Sequence, residues 1–502
     1  MSIRHDPIKS RLSRSSTIFL MLLGASVGFG NIWKFPILVG QYGGVPFLLV
    51  YFLFLLLLGI PILMAELALG RSAARNPVDT IGVFCRDSNV SFGWKTIGWF
   101  AVVASMVVLS FYSVIGGMGM AYIFYSAFGE FNGISATAVT DTIVGLRQNS
   151  DLLIVWHSLF LLIVAVIVSR GVRDGVGRAA RTLVPLMIIM AAVMLIHVSS
   201  MASFSQSYDY LFHFDISALT WRGVLEALSH SFFTLTIGLG AMMAYGAYMP
   251  DRMSIPWTAL AVAVADLVIG LVAGLIILSL TFAYDKPPQQ GFGLLFQTMP
   301  WLYGKEAMGQ FWGATFFVMI TFAAWTSAIA LAEPFLVWVV ERTPLSRKGA
   351  CVLLTAIVWS VGCVVVFSLN DWNEMRFAGL TPFGLMDFFT SRFLIPVGGV
   401  LFTLFVGIRV RSAYLADAIA FKYPWMFRVW HLNIRYVTPV AVSLVFLFGI
   451  FKFTESACHA AHDGRGFLCS VLVTTPEPVA DAELSNENDL PAESKTIIDE
   501  EE

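Results

Sequence analysis

Glu66, Asp266 and Glu333 are carboxylates set in stretches of the chain otherwise apolar enough to lie in lipid. A charge at bilayer depth costs about 2.5–3.5 kcal/mol on insertion scales, so each is expected to have a task. Two glycine-punctuated segments occur at the same depth. Gly24-Ala25-Ser26-Val27-Gly28-Phe29-Gly30-Asn31 lies in the first apolar run, and Thr234-Leu235-Thr236-Ile237-Gly238-Leu239-Gly240 lies near the middle of a later one. A single such segment reads as close helix packing, because small residues let backbones approach. Gly28-Phe29-Gly30 and Gly238-Leu239-Gly240 are 210 residues apart, in corresponding places of two halves. Paired interruptions of this kind point to a binding site between inverted repeats.

An unwound turn in lipid leaves carbonyls and amides without partners, at several kcal/mol per group. Bared carbonyls suit a desolvated hard cation, and half-helix N-termini suit an anion such as a carboxylate. A zwitterion beside Na+ would satisfy both. Glu66, in Gly59-Ile60-Pro61-Ile62-Leu63-Met64-Ala65-Glu66, can accept hydrogen bonds from the amides of an unwound neighbour, a structural role. Asp266 is a candidate for cation binding or proton handling, with a purely structural hydrogen bond as the alternative. Glu333, followed by Pro334, reads as structural. Lys34 and Asp387, near the outer ends of their runs, can pair across a mouth, although each alone is equally a solvated surface charge.

The elements that must hold these residues are long apolar helices. The chain has 502 residues, 57% hydrophobic and 13% charged, against about 25% charged in a soluble domain, which excludes a water-soluble globule. The net charge of −2 excludes a basic nucleic-acid-binding field. Eleven runs reach the roughly 20 residues that a bilayer-spanning helix needs: 17–41, 44–69, 97–126, 152–169, 183–201, 223–249, 257–283, 311–340, 349–368, 386–408 and 437–453. The predicted class is an all-α polytopic membrane protein. Its organisation is an N-terminal segment 1–16, five-helix units 17–201 and 202–409, an amphipathic connector with an eleventh helix at 410–453, and a tail 454–502. When loops are assigned alternately to the two sides, most Lys and Arg, around Arg11, Arg75, Arg173, Arg347 and Arg428, fall on one side, predicted to be cytoplasmic. The C-terminus is then outside, where Glu477–Glu502 holds ten acids and one Lys and reads as disordered. The first run is expected to remain in the mature protein, since it is too long for a signal peptide and lacks a small-residue cleavage site. Cys85, Cys351 and Cys363 suggest no metal site, and Cys458 and Cys469 could close a small disulfide loop.

Taken together, Gly30-Asn31-Ile32-Trp33-Lys34-Phe35-Pro36, Gly59-Ile60-Pro61 through Glu66 to Gly70-Arg71, Phe232-Phe233-Thr234-Leu235-Thr236, Trp325-Thr326-Ser327-Ala328-Ile329 and Ser346-Arg347-Lys348 resemble the neurotransmitter:sodium symporter family, in its bacterial eleven-helix amino-acid branch. The resemblance is close to whole-chain. It implies a leucine-transporter-type fold of inverted five-helix repeats plus one helix, and two sodium sites. The first would use the Ser26 carbonyl, Asn31, Thr234, Asp266 in place of the usual Asn, and the substrate carboxylate. The second would use carbonyls of Gly24, Val27 and Ala323 with the hydroxyls of Thr326 and Ser327. Substrate contacts would fall on Ala25, Ser26, Gly30, Val108, Tyr112, Phe233, Thr234, Thr236, Leu239, Ser327 and Leu331, with the Tyr112 hydroxyl on the carboxylate and Phe233 as lid. Gly28 stands where monoamine carriers place an acid, which favours a neutral, hydrophobic α-amino acid.

The family's chloride positions read Tyr51, His230, Thr234, Asp266 and Gly270 here, so the Asp266 carboxylate is expected to replace chloride and can carry a proton on the return step. Lys34 and Asp387 would form the outer gate. Lys9 or Arg11 with Glu341, aided by Tyr248, would form the inner one, where Leu12 replaces an expected Trp. Gly175 and Pro185 resemble the family's motif for local unwinding of the fifth helix. The implied activity is sodium-coupled import by alternating access, without chloride, enzymic chemistry or nucleic acid, in the bacterial inner membrane. A transporter-like receptor without net transport is the alternative, and oligomeric state stays open.

Overall fold

The computed structural model describes residues 12, 14–289, 291–372, 374–376 and 380–460. Lys9, Arg11 and Cys469, and the side chain of Cys458, lie outside this set. Thirteen helical pieces carry the architecture: α1 (Ser15–Ser26), α2 (Phe29–Gln41), α3 (Val45–Ala73), α4 (Phe92–Phe128), α5 (Ser150–Ser169), α6 (Val172–Ser199), α7 (Trp221–Phe233), α8 (Ala241–Ala247), α9 (Ile255–Ala283), α10 (Gly309–Arg342), α11 (Arg347–Leu369), α12 (Pro382–Arg409) and α13 (Pro424–Lys452). Among the described residues, nine of these are unbroken and long enough to cross a bilayer, and α1 with α2 forms a tenth crossing bent by 60°. The run expected at 223–249 is instead α7 and α8, neither long enough to span alone. Their interruption begins at Thr234, four residues before its first glycine.

Helix ends follow local chemistry. Asn149, Thr220, Ser346 and Thr381 accept hydrogen bonds from amides of the first turns of α5, α7, α11 and α12, satisfying donors that have no intrahelical partner. The breaks have a different origin. Val27 and Gly28 are extended between α1 and α2. Thr236, Gly238 and Gly240 take φ of +54°, +80° and +72°, a left-handed path that ends α7 and restarts the chain at α8.

α1, α8 and α10 form the interior, with α4 packed along α10. α6 is the least buried span and turns most of its surface outward, as a lipid-facing helix does. Gly24 sets the approach of α1 to α10: a Cβ there would stand 2.8 Å from Val184 Cγ2 and 3.0 Å from Thr326 Cβ. Gly24→Val is therefore expected to destabilise the fold by about 1–3 kcal/mol through overpacking, read as a lower midpoint of thermal unfolding of the purified protein. A midpoint equal to that of the parent would show that α1 and α10 have room to separate.

Candidate functional site

One carboxylate joins the two breaks. Asp266, 1% exposed on α9, accepts from Asn31 Nδ2 at 2.7 Å through Oδ1 and from Thr234 Oγ1 at 2.6 Å through Oδ2. Asn31 lies just past the first break and Thr234 opens the second. A second tie runs directly between them, from the Thr236 hydroxyl to the Ala25 carbonyl at 2.7 Å. The Ser26 hydroxyl turns back to Leu22 O at 3.0 Å within α1. Glu66 accepts from the Gly238 amide at 2.7 Å, the unwound-neighbour role its sequence position predicts.

A second set of oxygens gathers where α1 meets α10. Ser327 Oγ lies 3.0 Å from the Val27 carbonyl and 3.4 Å from that of Gly24. Thr326 Oγ1, one residue earlier, donates to Ala323 O at 2.9 Å and approaches Phe322 O at 3.1 Å. Neutral carbonyls and hydroxyls grouped in this way offer hard oxygen ligands to a small cation.

Tyr112 of α4 approaches the first break. A Cβ on Gly28 would sit 3.3 Å from the Tyr112 hydroxyl and 3.6 Å from Ser327 Oγ. The buried Tyr112 hydroxyl makes no well-formed hydrogen bond among the described residues, with Ser327 and the Phe29 backbone as its polar neighbours, so it has donor capacity to offer an acceptor. Its ring lies 5.0 Å from that of Phe29. Val108 is half-buried on α4, while Leu239 and Leu331 are buried. At Gly30 the nearest atom that a side chain would meet is His230 Cε1 at 4.0 Å. Phe233, the last residue of α7, is 37% exposed. Of the remaining chloride-type positions, Tyr51 and His230 have ring centroids 5.6 Å apart, and Gly270 backs onto Phe35.

The two ends of the site differ in charge chemistry. At one end Lys34 Nζ stands 3.7 Å from Glu226 Oε2, and Asp387 accepts from the Ser391 hydroxyl at 2.8 Å. At the other end the Tyr248 hydroxyl donates to Glu333 at 2.6 Å, and Arg347 clasps the same carboxylate with two nitrogens at 3.0 and 2.7 Å. Glu333 thus has an ionic partner beyond the local role its neighbour Pro334 suggested. Glu341 accepts from the Asn76 side chain at 2.6 Å and backbone at 3.1 Å. Asn76 also caps the short helix Pro77–Asp87, whose Asp79 binds Arg342 and lies 3.7 Å from Lys95. Sequence reasoning missed Glu226, Asn76 and Asp79. The spacing of Glu226, His230 and Phe233 places all three on one face of α7, which was the available signal.

Two of these ionic contacts generate expectations. Arg347→Met strands the buried Glu333 charge and should lower stability by about 3–5 kcal/mol, whereas adding Glu333→Gln should recover most of it, as two-dimensional denaturation of the single and double variants would reveal. Burial pushes the Asp79 carboxyl up, but hydrogen bonds from Arg342 and Asn76 outweigh it and hold it below the usual carboxylate range. Its stabilisation is then complete above the unfolded value of about 3.8 and disappears as pH falls through the lower folded value. Asp79→Asn should therefore flatten the acid limb of a stability-against-pH curve below about pH 4 and leave its shape at neutral pH unchanged.

The family model for the sodium:neurotransmitter symporters matches residues 10–133 and 137–462. An uncharacterized sodium-dependent transporter of Bacillus subtilis (strain 168), YhdH, is 30% identical over 440 residues, covering 86% of this chain and 96% of its own. Another from Haemophilus influenzae is 25% identical over 453 residues, covering 88% and 99%. The crystal structure of MhsT in complex with L-phenylalanine superposes with a TM-score of 0.78 at 31% identity, over 88% of this chain and 99% of that one. With sequence match, fold and the paired breaks in agreement, the chain belongs to the sodium:neurotransmitter symporter family and is a sodium-dependent membrane transporter, not an enzyme.

Proposed function

We propose that the chain imports a neutral, hydrophobic α-amino acid together with Na+ by alternating access, without chloride. The observation that carries this reading is the Asp266 carboxylate held by Asn31 and Thr234 at the junction of both breaks. Asp266, Asn31, Thr234 and the Ser26 carbonyl form the first cation site, completed by the substrate carboxylate. Gly24, Val27, Ala323, Thr326 and Ser327 form the second. Because the substrate itself is then a sodium ligand, each raises the affinity of the other by the same factor.

The Tyr112 hydroxyl supplies the donor for the substrate carboxylate, and the amides of Gly30 and its neighbours at the start of α2 favour the same anion. Val108, Phe233, Leu239 and Leu331 line an apolar side-chain pocket, Ala25, Ser26, Thr236 and Ser327 border it, and Phe233 closes over it. Support for this substrate class comes from the bare Gly28, which leaves no acid to pair with a substrate amine, and from the L-phenylalanine bound by MhsT. The fixed negative charge of Asp266 takes the place of chloride and carries a proton on the empty return. Lys34 and Asp387 act at the outer gate; Glu341 and Tyr248 act at the inner one with Lys9 or Arg11, which lie outside the described residues. The units 17–201 and 202–409 move against each other. The asymmetry of basic residues supports a bacterial inner membrane with the N-terminus inside.

The test is uptake into proteoliposomes under an inward sodium gradient, with one radiolabelled amino acid competed by the other nineteen. Sodium-driven accumulation that is unchanged when gluconate replaces chloride is expected. Saturable binding without accumulation would favour a receptor instead, and stimulation by chloride would remove the proposed role of Asp266. Asp266→Asn should lower uptake at limiting sodium about tenfold, equivalent to about 1.4 kcal/mol of lost cation stabilisation.

A further inference from the structure

Glu226 is 3% exposed, on the half-helix α7, two turns before Phe233. It faces cations from two other elements, one at each oxygen. Lys452 of α13 contacts Oε1 directly, and Lys34 of α2 stands 3.7 Å from Oε2. Arg222 lies one turn earlier on α7 and adds its charge to the same group. These partners differ mechanically. α2 and α7 each end at a break and can swing as short levers, whereas α13 is an unbroken span. The Lys34 contact therefore lies within the hinged pair, and the Lys452 contact crosses from the hinged pair to a fixed helix.

The neighbouring packing ties α7 to α12 and α13. Phe232 packs against Gly399 of α12, where Val442 of α13 also packs, while the next residue, Phe233, is 37% exposed. We infer that α7 moves away from α13 when the mouth closes, so that the contact made by Lys452 is the one that must break. We propose that Glu226 and Lys452 form a latch that holds the Lys34 mouth open, making the last helix, outside both five-helix units, part of the gate. Opening the latch does not strand the buried carboxylate, because Lys34 travels with it. A buried charge deprived of every partner would oppose the movement far more strongly.

The inference rests on the transporter reading, and its test has one arm free of any substrate assignment. In the full-length protein in nanodiscs, hydrogen–deuterium exchange of residues 234–240 in sodium buffer without substrate reports how far the mouth is open. Lys452→Met and Glu226→Gln should each slow this exchange about fivefold by shifting the population toward the closed mouth. The double variant should match Glu226→Gln rather than add to it, because both substitutions remove the Glu226–Lys452 contact, and the Lys34 contact that Glu226→Gln also loses lies within the hinged pair. Lys452→Arg should behave as the parent. The second arm reads L-phenylalanine binding, where the same two variants should tighten apparent affinity about fivefold, since binding no longer works against the latch.

Slowed exchange without detectable L-phenylalanine binding would retain the latch and reject only the substrate assignment. Additive effects, or a lower unfolding midpoint with parental exchange in Lys452→Met and Glu226→Gln, would overturn the latch and leave a purely structural ion pair. Should Lys452→Met fail to fold, Glu226→Gln reads the same exchange change or overturns the latch by its absence.

Discussion

A backbone that leaves the helix inside a membrane must find other partners for its amides and carbonyls, because lipid supplies none. The centre of this protein answers that constraint twice. The Gly238 amide goes to Glu66, the Ala25 carbonyl takes the Thr236 hydroxyl, and the Val27 carbonyl takes that of Ser327. Each break is thus completed by side chains from another element, and Thr236 in one break bonds directly to the other. The same groups that relieve the constraint are hard oxygens, so the proposed cation sites would draw on the atoms that satisfy the backbone.

Asp266 extends this logic from dipoles to charge. A lone carboxylate at this depth is expensive, and two neutral donors share it at hydrogen-bond distance. Neutral donors leave its net charge intact, which keeps an attraction for a cation that an Arg or Lys partner would remove. Glu333 shows the contrasting case. Arg347 neutralises it with two hydrogen bonds, and Tyr248 fills a further acceptor position. Asp266 is held by neutral donors alone, whereas Glu333 is bound by a cation that joins two helices.

The two ends of the transporter are built unequally. Glu333 and Tyr248 are buried and paired with an Arg347 that is 20% exposed, whereas Lys34 and Phe233 are more than a third exposed. The short helix carrying Asp79 adds to the pairing at the Glu333 end by binding Arg342.

Much of this was legible in the chain. Apolar run lengths set nine unbroken spans to within about ten residues at most ends, because a bilayer demands a minimum length whatever the neighbours. The glycine clusters marked both breaks, and isolated carboxylates marked Glu66 and Asp266. The start of the second break at Thr234 was not legible, because Phe233 and Thr234 are compatible with helix and only the hydrogen bond from Thr234 to Asp266, 32 residues on, accompanies the departure. The partners of Glu226, Glu333 and Glu341 were equally hidden. An ion pair between residues 34 and 226, or 226 and 452, leaves no periodic trace, since it depends on how helices lie side by side. The sequence alone determined which segments are apolar enough for the membrane and near which glycines they break, because those follow from local solvation. Only the tertiary structure decided which charges meet, because that is a matter of distances between elements far apart in the chain.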